Sequence, residues 1–225
     1  MSSDVPIQFH TPALITLSGV SGAGKTHFTD RLIRNADKLF DQKVVATMYC
    51  YTAYQPIFAK MEAEIPNISF YRGIPTIETI QEWIESSGRE GRPHHLLILD
   101  DLQTTALESK DVADIATIHS HHSNISCLTV YQNIFGSGKY ARTIALQAHY
   151  IIAMKNLRDL TQLSHLSRQV FPGKAQLLPE IMKHLTKKFQ YPYLVIDLSP
   201  HSSTEYRLRT SIFPGELMRV FSMRA

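Results

Sequence analysis

The chain of 225 residues is 44% hydrophobic, which suits one large globular domain and requires no second one. Its apolar runs are only a few residues long and its first residues lack the cationic and apolar regions of a signal peptide, so we expect an intracellular protein that is not secreted and has no membrane partner. The formal net charge of +3 is unevenly distributed: residues 1–138 hold 10 Lys and Arg against 15 Asp and Glu, and residues 139–225 hold 13 against 5. The basic C-terminal part indicates either a polyanionic partner or solvated surface side chains.

A strand, a glycine loop and the start of a helix follow a lead-in of residues 1–12. Gly19, Gly24, Lys25 and Thr26 fit the pattern G-x-x-x-x-G-K-[ST] directly after an apolar run. Glycines let several backbone N–H groups converge on phosphate oxygens, and a helix N-terminus favours an anion. We therefore expect a triphosphate as the ligand, with Lys25 on its β- and γ-phosphates and Thr26 on Mg²⁺. The residues predicted to bind the nucleotide are Gly19, Val20, Ser21, Gly22, Ala23, Gly24, Lys25, Thr26 and His27.

The next elements alternate between helical and extended patterns. Apolar residues at helical spacing predict a helix over residues 25–39, and the nearly continuous apolar run 44–51 predicts a strand covered on both faces. Weaker patterns predict a helix over 57–64, an extended piece over 68–71, a helix over 77–85 and then a polar linker.

Two carboxylates end the next buried strand, which begins at about His95. The carboxyl ends of strands form the edge at which α/β folds bind ligands. Asp100 is suited to the Mg²⁺ shell, and Asp101 is suited to accept a hydrogen bond from a water directed at the γ-phosphate. Together with the glycine loop, this pair predicts a site for a nucleotide and its metal ion.

The cysteines and a histidine cluster raise the question of a zinc site. Cys50 and Cys127 both lie in apolar strand-like runs, which predicts reduced, buried thiols. His119, His121 and His122 precede Cys127 and leave zinc open as an alternative. The position of Cys127 inside a predicted strand, without a second ligand cluster, favours a hydrogen-bonded loop beside the sheet.

The remaining elements complete one domain, predicted over residues 13–213 and followed by a tail at 214–225. A helix is predicted over 106–118, a strand over 125–131 with Gln132 directly after it, and a flexible basic loop from residue 136. Further predictions are a strand at 150–154, helices at 157–170 and 176–189, a strand from 193 and an edge strand at 207–212 with Arg207 and Arg209 on its polar side. We expect those two arginines, and Lys187 and Lys188, to be solvated.

Several motifs, taken in order, resemble those of the FtsK/HerA-type genome-packaging ATPases of poxviruses and of Polinton-like and related double-stranded DNA viruses. The resemblance covers most of the chain, from residue 14 to residue 212. The motifs are Gly19-Val-Ser-Gly-Ala-Gly-Lys-Thr, Leu97-Ile-Leu-Asp-Asp-Leu, Ser120-His-His-Ser-Asn-Ile-Ser, Tyr131-Gln-Asn-Ile-Phe, Ala141-Arg-Thr-Ile-Ala-Leu-Gln-Ala-His-Tyr, Lys155-Asn-Leu-Arg-Asp and Arg207-Leu-Arg-Thr.

The resemblance implies an α/β P-loop NTPase of the ASCE type (RecA-like), in which a mostly parallel central sheet carries helices on both faces and an extra strand separates the two Walker strands. It implies an ATP-driven motor that threads double-stranded DNA into a preformed capsid. Such motors act as a pentameric or hexameric ring with a capsid or portal vertex protein, at the virion assembly site in the nucleus or cytoplasm. By position, Asp100 matches the Walker B acid, Asp101 the catalytic acid, where Glu is usual, and Gln132 the polar sensor.

Ring motors of this kind commonly receive an arginine from the neighbouring subunit, because a cation offsets charge on the transferred phosphoryl group. Arg142 is the first candidate and Arg158 the second, each with an ordinary surface ion pair as the alternative role. Lys139 is the best candidate for a contact to DNA phosphates. Other interpretations of the chain are a different FtsK/HerA translocation or extrusion ATPase, a nucleotide or metabolite kinase, and a nucleotide-binding module without turnover.

Overall fold

A computed structural model describes residues 7–88, 91–100, 123–135, 144, 146–156 and 160–222. The strands in these residues are β1 (Leu14–Ser18), β2 (Val44–Tyr51), β3 (Ile68–Arg72), β4 (His94–Asp100), β5 (Ile125–Tyr131), β6 (Tyr150–Met154), β7 (Tyr193–Asp197), β8 (Leu208–Thr210) and β9 (Arg219–Val220). The α-helices are α1 (Lys25–Arg34), α2 (Ala36–Leu39), α3 (Pro56–Glu64), α4 (Ile77–Ser86), α5 (Thr161–Val170) and α6 (Leu177–Lys188).

The strands form one sheet in the order β3-β2-β4-β5-β1-β6-β7-β8-β9. The first six strands of this order are parallel, whereas β7, β8 and β9 pair antiparallel with their neighbours. Strand β5 lies between β1 and β4, so that Ser18 pairs with Tyr131 and Val130 pairs with Asp100. The mostly parallel sheet with an extra strand between the glycine-loop strand and the acidic strand is therefore confirmed.

Helices cover both faces of the sheet, as predicted. Side chains of β4 alternate between two buried apolar clusters, with Leu97 and Leu99 in one and Leu96 and Ile98 in the other. This alternation follows from the two-residue period of a strand. Helices α1, α2 and α3 pack on the face of Leu96, and α4, α5 and α6 pack on the face of Leu97.

Two predicted helices differ in their bounds. The single helix expected over residues 25–39 is interrupted at Asn35, whose side-chain amide donates to the carbonyl of Arg31 at 2.8 Å. Asparagine readily makes such local bonds to the backbone, which compete with a continuous helix. Helix α5 begins at Thr161, after Leu160 as its N-cap, instead of at residue 157.

The prediction for the strand at residues 207–212 is wrong. Strand β8 is shorter and is not at the edge of the sheet, because it pairs with β7 on one side and with β9 on the other. Arg209 is buried rather than solvated, and its Nη1 lies 2.6 Å from Oδ2 of Asp197 on β7. The carboxylate on the neighbouring strand compensates the arginine charge, which makes burial possible. Lys187 and Lys188 are exposed, as expected.

Cys50 and Cys127 are free and buried, as the sequence predicts, and burial raises the pKa of Cys127 to about 12. The histidines at 119, 121 and 122 and the helix expected at 106–118 lie outside the described residues. In the part of the chain that is described, no helix is long and apolar enough to cross a membrane.

Candidate nucleotide-binding site

The glycine loop connects β1 to α1 at the carboxyl edge of the parallel strands. Gly22 and Gly24 have φ angles of 79° and 94°, in the left-handed region that glycine enters without strain, and Gly24 is the N-cap of α1. Gly19 is constrained differently, because a Cβ added there would lie 2.8 Å from the Cβ of Met154 on β6. Two glycines therefore set the backbone turn, and one lets the loop approach the neighbouring strand.

Lys25 is the first residue of α1, and its side chain turns back along the loop. Its Nζ donates to the carbonyl oxygen of Gly19 at 2.7 Å and to that of Val20 at 3.2 Å. The ammonium group is thereby held beside the backbone that the sequence predicts to surround the phosphates. A phosphate ligand offers anionic oxygens as stronger acceptors than these carbonyls.

Asp100 ends β4 as a buried carboxylate with a phenol as its partner. The residue is 4% exposed, and the hydroxyl of Tyr49 on β2 donates to its Oδ2 at 2.5 Å. Burial, and next the negative charge of Asp100, raise the pKa of Tyr49 far above its ordinary value, so that the phenol keeps its proton. Sequence analysis missed Tyr49, because only the pairing of β2 with β4 brings it to the carboxylate.

One cavity of about 730 Å³ brings eight of the predicted site residues together. Lys25, Thr26, Asp100 and Gln132 all line it, so β4 and β5 contribute polar side chains opposite the start of α1. Among the other predicted ligands, Ser21, Gly22, Gly24 and His27 also line this cavity. Val20 and Ala23 line a neighbouring one of about 300 Å³, to which Ser21 and Gly22 also contribute, and Gly19 lines a third, smaller one. Asp101, Lys139, Arg142 and Arg158 lie outside the described residues, so their predicted roles stay predictions.

An aromatic wall that the sequence did not predict closes one side of the cavity. Because β7 runs antiparallel to β6, its first residues lie at the edge where the parallel strands end. Tyr191 is 58% exposed, with a ring carbon 3.4 Å from the position that a Cβ on Gly24 would take. The ring of Tyr193 meets that of Phe28 edge-on, with centroids 4.9 Å apart. An exposed ring beside the glycine loop offers a flat apolar surface to a nucleobase.

Arg31 lines the same cavity one turn and a half along α1 from Lys25. Its Nη2 lies 2.7 Å from Oε1 of Glu216, and its guanidinium carbon lies 4.0 Å from the ring centroid of Phe213. These contacts join the segment after β8 to the first helix, so residues far along the chain contribute to the wall of the site.

The side chains present fit a magnesium ion. Thr26 and Asp100 both line the cavity and provide the hydroxyl and carboxylate oxygens that Mg²⁺ prefers. Among the described residues, no group of three or more His, Cys, Asp or Glu side chains is placed to hold a metal ion. A Mg²⁺ ion that is bound together with a phosphate ligand commonly takes only one or two oxygen ligands from the protein, since phosphate and water supply the others.

The sheet order and the glycine loop define an α/β protein with the fold of the RecA-like P-loop NTPases. No family model matches the chain, and no curated protein is significantly similar to it in sequence. Among solved structures, the genome packaging NTPase B204 from Sulfolobus turreted icosahedral virus 2, in complex with AMP, is similar with a TM-score of 0.53 and 13% identity, over 83% of this chain and 92% of that one. The same NTPase in complex with sulfate matches with a TM-score of 0.50 and 13% identity, over 95% of this chain and 97% of that one. At such identity the likeness establishes the fold.

Proposed function

We propose that this chain is an ATP-hydrolysing motor of the FtsK/HerA type that moves double-stranded DNA into a preformed capsid. The observation that carries the proposal is the single cavity lined by Lys25, Thr26, Asp100 and Gln132 at the carboxyl edge of the sheet. The ordered motifs of the sequence support it, as does the fold shared with a viral genome packaging NTPase.

The proposed chemistry assigns a role to each polar side chain. Lys25 binds the β- and γ-phosphates, and Thr26 and Asp100 hold Mg²⁺, which neutralises charge on the phosphate oxygens. Asp101 accepts a hydrogen bond from the attacking water and so orients it. Gln132, at the end of the strand between β1 and β4, donates from its amide to the γ-phosphate or to that water.

Further parts of the proposal rest on the sequence and on the family that it resembles. Arg142, or in second place Arg158, acts across the subunit interface of a pentameric or hexameric ring. Lys139 contacts DNA phosphates from a loop that faces the central pore. A capsid or portal vertex protein receives the ring at the site of virion assembly.

The test is steady-state ATP hydrolysis, measured without any acceptor substrate and with or without duplex DNA of mixed sequence. We expect hydrolysis that duplex DNA stimulates, and a steep loss of DNA binding between about 50 and 200 mM salt because phosphate contacts release counterions. A kinase would instead require an acceptor, and a binding module would show no turnover.

Two lysine variants distinguish the effect of losing a charge in the candidate site from that of losing a charge on the surface. Lys25→Ala should lower nucleotide affinity by about tenfold or more, since a charged hydrogen bond contributes about 1.5–3 kcal/mol, and should abolish hydrolysis. Lys38→Ala, at an exposed position on α2, should behave as the wild type. Equal activity of the two variants, or a wild-type protein that never cleaves ATP, would contradict the proposal.

A further inference from the structure

Tyr49 is a buried polar residue whose hydroxyl contacts a carboxylate of the candidate site. It has no exposed surface, and its hydroxyl lies 2.5 Å from Oδ2 of Asp100. A phenol in an apolar core costs free energy unless it finds a partner, and phenylalanine would fill the same space without that cost. The hydrogen bond to the Asp100 carboxylate is therefore the feature that distinguishes tyrosine from phenylalanine at this position.

The strand register places the two groups on one face of the sheet. Tyr51 pairs with Asp100 and Tyr49 pairs with Ile98, so Tyr49 reaches Asp100 diagonally across the β2–β4 pair. Ile98 lies in the apolar cluster that packs against α1, the helix that begins at the glycine loop. The Asp100 carboxylate is thus approached by Tyr49 from the core and faces the cavity that Thr26 lines.

The ring of Tyr49 is itself fixed by two aromatic neighbours. Its centroid lies 5.0 Å from that of Phe58 on α3 and 5.4 Å from that of Phe70 on β3. A side chain held in this way has little freedom to follow the carboxylate, so the hydroxyl limits the orientations that the Asp100 carboxylate can take.

We propose that Tyr49 is a positioning residue for the metal ion, and that its hydroxyl orients the Asp100 carboxylate toward Mg²⁺ bound beside Thr26. A hydrogen-bonded partner of a ligating carboxylate fixes its direction before the metal arrives, and loss of such a partner costs about 10–100-fold in metal affinity. The inference depends on the nucleotide and metal binding of the proposed function and is independent of DNA translocation.

The experiment measures binding of metal to the ADP complex, which requires no hydrolysis. Mn²⁺ is titrated into protein with saturating ADP and followed by electron paramagnetic resonance. Tyr49→Phe should weaken Mn²⁺ binding about 10–100-fold and leave the affinity for metal-free ADP unchanged. A purely structural role would lower the melting temperature and leave both affinities as they are.

Tyr51→Phe is the matched control, because it removes the same hydroxyl from the same strand and face. The ring of Tyr51 packs against Tyr54 and Phe58, at 6.1 Å and 5.2 Å between centroids, and should keep wild-type Mn²⁺ affinity. Equal Mn²⁺ affinity of Tyr49→Phe and wild type overturns the proposal, and so does a wild-type ADP complex that takes up no Mn²⁺.

A second measurement avoids a variant that fails to fold. 3-Fluorotyrosine placed at position 49 keeps the hydroxyl and nearly the same volume. Its fluorine resonance should move when Mg²⁺ is added to the ADP complex, whereas fluorotyrosine at position 51 should give an unchanged signal. If the chemical shift of the fluorine at position 49 does not change when Mg²⁺ is added, the proposal is overturned, whether or not Tyr49→Phe folds.

Discussion

Gln132 and Asn133 show how the surroundings of a side chain depend on its place after a strand. The side chain is exposed at the tip of β5, and Asn133 beside it turns toward α5, where the Gln162 Nε2 donates to its Oδ1 at 3.2 Å. Gln162 also accepts from the backbone N–H of Ile134 at 2.8 Å, which fixes the turn. Two neighbouring amides therefore have different surroundings, one in the cavity and one on a helix.

We predict that Gln132→Ala lowers kcat by about 10²-fold, the effect of removing one donor that stabilises developing charge. The affinity for ADP should stay at the wild-type value, because the proposed role of Gln132 involves the γ-phosphate or the attacking water, which the ADP complex lacks. Steady-state kinetics together with ADP titrations would measure both.

Asn133→Ala is the control for this prediction, since it removes the adjacent side-chain amide, which contacts Gln162 on α5. Its kcat should stay close to wild type because the bond between Ile134 and Gln162 remains. Equal losses of kcat in the two variants would mean that the turn, and not the Gln132 amide, matters.

At the scale of elements, the local sequence patterns predicted where strands lie in the chain better than which side chains of neighbouring strands come into contact. Largely apolar runs predicted β2, β4 and β5, because a strand buried on both faces in a parallel sheet carries mostly apolar side chains. The glycine loop was predicted from four residues, because its chemistry is local. Tyr49 and Tyr191 escaped prediction, because their positions depend on which strand lies beside β4 and on the antiparallel return of β7.

The ion pair of Arg209 and Asp197 shows how the burial of a charged side chain on one strand depends on the neighbouring strand. The Asp197 carboxylate accepts from Arg209, from the hydroxyl of Ser202 at 2.6 Å and from the backbone N–H of Ser199 at 3.1 Å. Strand alternation alone placed Arg209 on a polar face, and it could not reveal a carboxylate on β7 or the cover provided by β9.

We predict that Arg209→Met destabilises the fold by about 3–5 kcal/mol, because it leaves the Asp197 charge buried without its cation. Urea unfolding followed by circular dichroism would give the free energy of unfolding. Lys187→Met, at an exposed position on α6, should stay within about 0.5 kcal/mol of wild type. A small effect of Arg209→Met would show that water reaches the carboxylate.

At the scale of the whole molecule, the carboxyl and amino ends of the parallel strands carry different kinds of residue. The carboxyl ends of the parallel strands carry the polar side chains of the candidate site, and the amino end of β4 carries two buried histidines. Strand β4 joins the two, since it begins at His94 and His95, both buried, and ends at Asp100. The Nε2 of His94 lies 2.8 Å from Oγ of Ser126 on β5, and the ring of His95 packs edge-on against Trp83 at 5.2 Å.

Burial lowers the pKa of His94 to about 4 and also lowers the pKa of His95, so both rings are neutral in the folded chain near neutral pH. The unfolded chain binds protons at a higher pH than the folded chain does, and stability therefore rises with pH in this window. The contribution of His94 is fully present above about pH 6.5 and is lost as pH falls toward about 4.

We predict that the free energy of unfolding falls by about 2 kcal/mol between about pH 7 and pH 5 on account of His94 alone, with His95 adding to the loss. His94→Gln keeps an amide near the Ser126 hydroxyl and cannot take up the proton, so its unfolding free energy should change less with pH. His184→Gln, at an exposed position on α6, should follow the wild type. Urea unfolding at a series of pH values compares the three proteins, and parallel curves for wild type and His94→Gln would show that the buried ring at the start of β4 does not limit stability in acid.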